Sequence, residues 1–366
     1  MSVLDPSRLD PADFGSVELP TADAEIWRYS RIGELELGAF SPVDDAPSVD
    51  DPGGRHTVTV GGSTVTVIDD RPDVFAELNA AHASQVHVSV PPGATVTEPI
   101  VIKHSIPADH AMVCPRLVID VAADAEVTVI EVFDSAADGP ALVLPVLQLR
   151  AGPAARVRYL GINELSDQAW SIAHQQAVGD RDSSVMLGTV ALGGDYARVR
   201  TEARVSGPGA STKQVALYFA GGNQMHDFRT IQDHDAPHTT SDLLFKGAVQ
   251  DTAASVYTGL ITIREHARGT SADQTNRNLT LSEGAWAESV PNLDIRTNDV
   301  KCSHASTVGP IDESHRFYLE SRGVRPEVAE RLVVLGFFDE VIGQLPASDL
   351  ADDLRNRVAA KLNIGR

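Results

Sequence analysis

DTAASVYTGLITI, residues 251–263, decides the fold: a turn and a small residue lead into a run in which apolar and polar side chains alternate. The same order recurs in PPGATVTEPIVI (91–102), AADAEVTVIEVF (122–133), SGPGASTKQVALYF (206–219) and SEGAWAESVPNLDI (282–295). Alternation at period two marks strands with one buried face. Steps of 13 from Ala197 to Ala210 and of 14 from Thr239 to Ala253, with 31 from Ala94 to Ala125, form a weak repeat. Copies of such a unit can stack so that each buries the face of the one before, which is a β-solenoid. A Greek-key sandwich accounts for the same spacing.

Outward from these repeats, residues 86–308 are short Val/Ile/Thr-rich runs broken by Gly, Pro, Asp and Ser, and helix signals nearly vanish. Three parts follow: a mixed helical N-terminal region (1–85), a β core (86–310) and a helical C-terminal region (311–366). In the first, 71–83 predicts a helix with Pro72 in its first turn and Val74, Phe75 and Leu78 as its apolar stripe. EIWRYSRI (25–32) offers Trp27 and Tyr29 as anchors against the main body. In the last part, Asp312 caps a helix over 313–322 and Gly323 stops it. Pro326 opens a second helix carrying Val328, Leu332, Leu335 and Phe338, and Phe337, Phe338, Val341 and Ile342 make an apolar exit. A final helix from about Ser348 repeats Leu350, Leu354, Val358 and Leu362. The ordinary use of such stripes is packing within the chain.

The 366 residues suffice for a buried core, and 42% are hydrophobic. Mean hydropathy is -0.10, and no run nears the roughly 18 apolar residues of a membrane span. The start, MSVLDPSRLDPADFG, lacks the basic and apolar regions of a secretory signal, so the cytoplasm is expected. Two cysteines, Cys114 and Cys302, argue against a disulfide framework and fit a reducing compartment. A net charge of -21 opposes binding to nucleic acid or anionic lipid.

Chemistry concentrates in PNLDIRTNDVKCSHASTVGPIDESHRFYLESRG (291–323). Strand alternation puts Val300, Cys302, His304, Ser306 and Val308 on one side and Lys301, Ser303, Ala305 and Thr307 on the other. Thiol and imidazole thus point the same way, as ligands to a soft metal would. The plain reading is a core strand, with Val300 and Val308 covering the thiol. Two donors do not fill a shell of about four, so a second chain or distant residues must complete any site.

Other polar groups carry weaker signals. His226, His234 and His238, with Asp227, Asp233 and Asp235, sit in QMHDFRTIQDHDAPHTTS (224–241), a weak metal or acid-base pattern in which Pro237 prevents a helical His pair. Arg264, Glu265 and His266 are a second group, and 269–278 is polar enough to line a channel in or beside the solenoid.

The run 291–323, followed by ERLVVLGFFDEVIG (330–343), resembles the C-terminal signature of the SufB/SufD family of iron-sulfur cluster assembly proteins. EIWRYSRI, QDHDAPHTTSDLLFKGAV (232–249) and residues 255–295 agree with it, so the likeness spans 25–342. KCSH (301–304) and FYLESRG (317–323) resemble the SufD branch, where SufB-type members carry a VEHEA-like run. The resemblance implies a β-helix core in which 224–241 is a structural solenoid turn, and a non-catalytic scaffold that pairs edge to edge with a SufB-type subunit near its C-terminal strands. Alone, the chain would be able to form a homodimer through that edge. It implies docking of a SufC-type ABC ATPase on the C-terminal helices, with Phe337, Phe338 and Val341 as contacts. No GxxxxGK[ST] run is present, so ATP hydrolysis falls to that partner. By position, His304 and Cys302 would bind iron of a transient cluster shared at the interface. Two other readings are a β-helical carbohydrate-active enzyme using carboxylates and Arg on one solenoid face, and a homo-oligomeric interaction protein without metal chemistry.

Overall fold

The computed structural model describes residues 11–61, 65–68 and 70–364, so the extremities of the outer regions, 1–10 and 365–366, lie outside the described residues. Two sheets run its length. Eight strands from Ile100–Ile106 to Val300–Gly309 stack in parallel within a nine-stranded sheet. Eight more, from Ser84–Val90 to Trp286–Ile295, stack in parallel within a twelve-stranded sheet. The chain alternates between the sheets, giving one strand of each per coil. This is a β-solenoid, and the parallel stacking excludes the Greek-key sandwich.

Register fixes the period. Ser184 pairs with Ser211, Ser211 with Thr240, Thr240 with Ser271 and Ser271 with Lys301, so successive coils advance by 27, 29, 31 and 30 residues. The steps of 13 and 14 seen in the sequence are therefore half coils, and 31 is a whole one. The small residue of the repeat lines one corner, where Ala94, Ala125, Ala155, Ser183, Ala210 and Thr239 are all buried. Their carbonyls accept from the next coil, as Ala125 from the Arg156 amide at 2.8 Å and Ala210 from the Thr240 amide at 3.0 Å. A bulky side chain there would wedge the coils apart. Just before each corner residue the backbone is left-handed, at Gly93, Asp124, Ala154, Asp182, Gly209 and His238.

Both flat outer faces are covered. Over the twelve-stranded sheet lie Phe14, Trp27, Ile32, Leu37 and Phe40, with helix α1 (Val74–His82), packed on Cys114, Trp170, Ile172, Tyr196, Met225 and Val256. Helix α1 starts at Val74 with Asp73 as its cap, its side chain accepting from the Phe75 and Ala76 amides at 3.1 Å. Pro72 thus precedes the helix rather than opening it. Trp27 is buried as expected, while Tyr29, left-handed (φ 66°) and 38% exposed, meets the main body through its ring, 6.0 Å from that of Trp286. Asp227, fully buried, holds Arg198 and Arg229, whose guanidiniums bind the carbonyls of Ile26 and Arg28.

Three helices end the chain: α2 (Glu313–Ser321), α3 (Pro326–Ile342) and α4 (Ala351–Ile364), the last preceded by a single 3-10 turn at Ser348–Leu350. Asp312 caps α2 and Pro326 opens α3, as the sequence indicates. Helices α3 and α4 cover the outer face of the nine-stranded sheet, burying Val334, Phe338, Val341, Leu354 and Val358 against Leu160, Val190, Val215, Leu217 and Phe219. Each such side chain contributes about 1.5–3 kcal/mol, which decides the docking. Lys361 of α4 adds a pin, its ammonium donating to the carbonyls of Leu192 and Phe219 and to Gln224.

The two ends of the stack differ. At the N-terminal end, Ser48–Asp50 and Thr57–Val60 pair antiparallel with Ile100–Ile106 and Ser84–Val90, closing both edges. These short strands lie in a region expected to be helix and irregular chain. Asp45, just before them, grips the buried His104, whose other nitrogen meets Glu131 at 3.0 Å, and the Tyr159 hydroxyl donates to Glu131 at 2.6 Å. Burial alone would lower the His104 pKa, but the bonds and charges of Asp45 and Glu131 raise it to about 9.

A folded-state pKa above the unfolded value of about 6.5 stabilises the fold fully below that pH, and the contribution is lost as pH rises through 9. The shift corresponds to about 3 kcal/mol. Urea denaturation at pH 6 and pH 9.5 should show the native chain losing more stability than Asp45→Asn over that interval. Identical losses would remove His104 as the source.

Candidate functional site at the open end of the solenoid

At the C-terminal end, among the described residues, no strand follows Trp286–Ile295 in one sheet or Val300–Gly309 in the other. Both ten-residue edges present unpaired backbone groups, a template for another strand. Leu293, Ile295 and Val308 are exposed on the last coil.

Register shows which way the last strand faces. Cys302 pairs with Ala272, His304 with Gln274, Ser306 with Asn276 and Val308 with Asn278, and these four partners are all buried inward-facing residues. Cys302, His304, Ser306 and Val308 therefore continue the interior rows, as alternation predicts, but no coil lies above them. His304 is exposed for this reason.

The two candidate donors differ in setting. Cys302 is half-buried and packs with Val300 against Ile261, Ile263, Ala267 and Ala272. Burial pushes its thiol pKa up, and the charge of Asp273 raises it further against a hydrogen bond with the Ala272 backbone. Asp273 itself accepts from the Ser303 hydroxyl. The expectation that Val308 helps to cover the thiol fails: Val308 is 42% exposed at the far end of the strand. Among the described residues, no group of three or more His, Cys, Asp and Glu is placed to hold a metal ion. The open end brings together two donors and no third.

The other polar groups prove to be framework. His226 and His234 lie on the strand Met225–His234 rather than in a turn, both inward and fully buried. Burial depresses His226 to about 3 and His234 to about 4, so both stay neutral. His234 is bound by Thr239 at 2.8 Å and Ser241 at 2.9 Å, while His238 occupies the turn. Arg264 and His266 belong to an outer-face ladder with Asp233 and Asp235. Within 269–278 the alternate residues Ala272, Gln274, Asn276 and Asn278 fill the interior, where Asn276 and Asn278 bond to the Tyr218 hydroxyl.

The residues expected to meet an ATPase are seated unevenly. Phe338 and Val341 are fully buried under the nine-stranded sheet's own helix layer, so neither presents its side chain outward. Phe337 is part-buried, with the Lys246 ammonium 4.5 Å from its ring centroid. It lines an open groove of about 650 Å³ with Leu279, Ile311, Tyr318, Leu332 and Val333. Phe317, 71% exposed, and Tyr318 stand on α2 beside it. The sequence reading passed over this pair. Its signal was two adjacent aromatics in a short helix that has no buried face.

Comparison with known proteins adds what geometry alone does not. The family described as "SUF system FeS cluster assembly, SufBD core domain" matches residues 104–337. The chain is 32% identical over 374 residues to an iron-sulfur cluster assembly SufBD family protein of Mycobacterium tuberculosis, covering 96% of this chain and 91% of the relative. It is 27% identical over 378 residues to the iron-sulfur cluster assembly protein SufD of Escherichia coli, covering 94% and 89%. With the SufD of Bacillus subtilis, identity is 28% over 294 residues, covering 78% and 67%.

The raised pKa of Cys302 has a kinetic consequence, because only the thiolate alkylates. Asp273→Asn should accelerate labelling of Cys302 at pH 7.5, because removing the neighbouring negative charge lets the thiol ionise more readily. Cys114, buried and pushed up to about 12, should stay unlabelled and serve as the internal control. Equal Cys302 rates in both chains would contradict the assigned electrostatics.

Proposed function

We propose a function from one premise: the chain belongs to the SufBD family of iron-sulfur cluster assembly proteins. It acts as a non-catalytic scaffold subunit in the cytoplasm, and a SufB-type subunit seats on its open end by strand-edge pairing. One observation carries this reading: His304 and Cys302 stand on the last, unpaired strand, facing the space another chain would cap.

The nascent cluster is cargo, formed at that seam. His304 supplies a neutral imidazole to iron, and Cys302 supplies a thiolate once it loses its proton; the partner contributes the remaining donors. Isolated copies pair through the same edge as a homodimer, since the unpaired backbone groups remain.

The SufC-type ATPase docks on the C-terminal helices. The groove floored by Phe337 and flanked by Tyr318 and Leu332 receives it, with Phe317 as an exposed anchor of the kind that dominates binding energy. Phe338 and Val341 support that surface from beneath. Replacing Phe317 and Leu332 together by Ser should weaken ATPase binding at least tenfold by calorimetry while leaving thermal unfolding nearly unchanged, because both side chains are exposed. Native affinity in the double variant would move the docking surface elsewhere.

The central claim is tested by anaerobic reconstitution of the three-protein complex with iron and sulfide, using native and His304→Ala chains. The variant should assemble the complex but lose most of the cluster absorbance and of the transfer to an apo-acceptor. Undiminished cluster formation would refute His304 as a donor.

A further inference from the structure

We infer that Lys246 is a positioning residue: it fixes α3 so that the Phe337 ring stays at the floor of its groove, an inference that rests on reading this groove as the ATPase seat. Lys246 stands on the strand Thr240–Val249, on the outer face of the nine-stranded sheet, between Leu217 and Arg277 of the neighbouring coils. Its side chain is 3% exposed.

Three contacts tie its ammonium to one turn of α3. It donates to the Phe337 carbonyl at 2.8 Å, pairs with Glu340, and lies 4.5 Å from the centroid of the Phe337 ring. The hydrogen bond from Lys246 holds the Glu340 carboxyl below its ordinary pKa, and the charges of Lys246 and Arg277 act the same way. Main chain and ring of one residue are thus gripped by one charge. Lys361, the other buried ammonium under these helices, ends instead on Leu192, Phe219 and Gln224. Of the two, Lys246 is the one that reaches a groove residue.

Burying an ammonium is costly, and stability alone would favour an unbranched apolar side chain at this position. Apolar packing is non-directional, so it would hold α3 on the sheet without fixing its rotation or register. Direction is what the lysine adds: an N–H aimed at one carbonyl and a cation over one ring. The need is local. Gly336, next to Phe337 and lining the same groove, is a poor helix former, and no atom beyond the helix's own backbone lies within 4 Å of where its Cβ would stand. The glycine opens the groove and loosens the helix at one point, and Lys246 fixes the residue that follows.

Lys246→Met keeps an unbranched stem and removes the charge. Glu340, half-exposed, is then left in water, and the Phe337 carbonyl keeps its place in the helical ladder. The full-length variant should therefore unfold at or above the native temperature. It should nonetheless bind the SufC-type ATPase about fivefold more weakly by calorimetry, since affinity scales with the populated share of the competent orientation and one cation–π contact sets that share by about this ratio. Phe337→Leu should also weaken binding, and adding Lys246→Met to it should weaken it no further. Losses that add, native affinity in Lys246→Met beside a loss in Phe337→Leu, or an unfolding temperature that falls with the affinity, overturn the inference. Native affinity in Phe337→Leu would instead move the ATPase off the groove, and the ring is then read without it. With 4-fluorophenylalanine at position 337, the single narrow fluorine resonance of the otherwise native chain should broaden or divide in Lys246→Met. A line as narrow as the native one overturns the positioning role, wherever the ATPase docks.

Discussion

Every parallel strand in this chain depends on the coil above it to satisfy one row of backbone amides and carbonyls. That demand is met seven times over between successive strands of each sheet, and at the N-terminal end two short antiparallel strands close the row. Nothing in the described chain meets it at the other end. The flat faces are sealed, one by the N-terminal segment and α1, the other by α3 and α4. The surface left unfinished is thus the cross-section of the last coil, and the run KCSH (301–304) lies on it. Of the two edges, Trp286–Ile295 carries Pro291, which removes one backbone donor, whereas Val300–Gly309 has no proline and stays open to another strand.

The interior changes character on the way to that end. The first coils are filled with Val, Ile, Leu and Ala around Val88, Ile119, Val129 and Leu149. Later coils bring in aromatics at Tyr218, Phe228, Phe245 and Tyr257, with ring pairs at 5.6 Å and 5.3 Å along the stack. The last covered coil is mainly amide: Gln274, Asn276 and Asn278. Polar side chains in a core are tolerated when they bond one another, and Asn276, Asn278 and Tyr218 do so.

Much of this was legible in the chain itself, and the failures have physical causes. Alternation in DTAASVYTGLITI gave the inward row, and the small residue ahead of it gave the corner, because both follow from local geometry. The distinction between half and whole coils was not legible, since successive strands of one coil share a pattern but belong to opposite sheets. The antiparallel caps at Ser48–Asp50 and Thr57–Val60 were missed because strands of three and four residues carry too little periodicity. Helical spacing marked Phe338 and Val341 as apolar but could not say what covers them; the neighbouring sheet face does. For Cys302 and His304, alternation set the direction correctly, while their unequal exposure depends on a missing coil that no local pattern records.

On the proposed function, a donor set divided between two chains is what cargo requires. A closed four-donor site binds a structural metal with roughly 10–16 kcal/mol and gives it up slowly. With two donors per edge, the affinity of the whole site is tied to backbone pairing along the seam, so loosening the edge removes half of the ligands together. The protonated Cys302 thiol acts in the same direction, because it must release a proton before it can hold iron, whereas the His304 imidazole binds in its neutral form. Assembly and release would then be controlled by one set of hydrogen bonds, those between strand edges, and a motor that shifts the C-terminal helices against the nine-stranded sheet acts on the sheet whose last strand carries both donors.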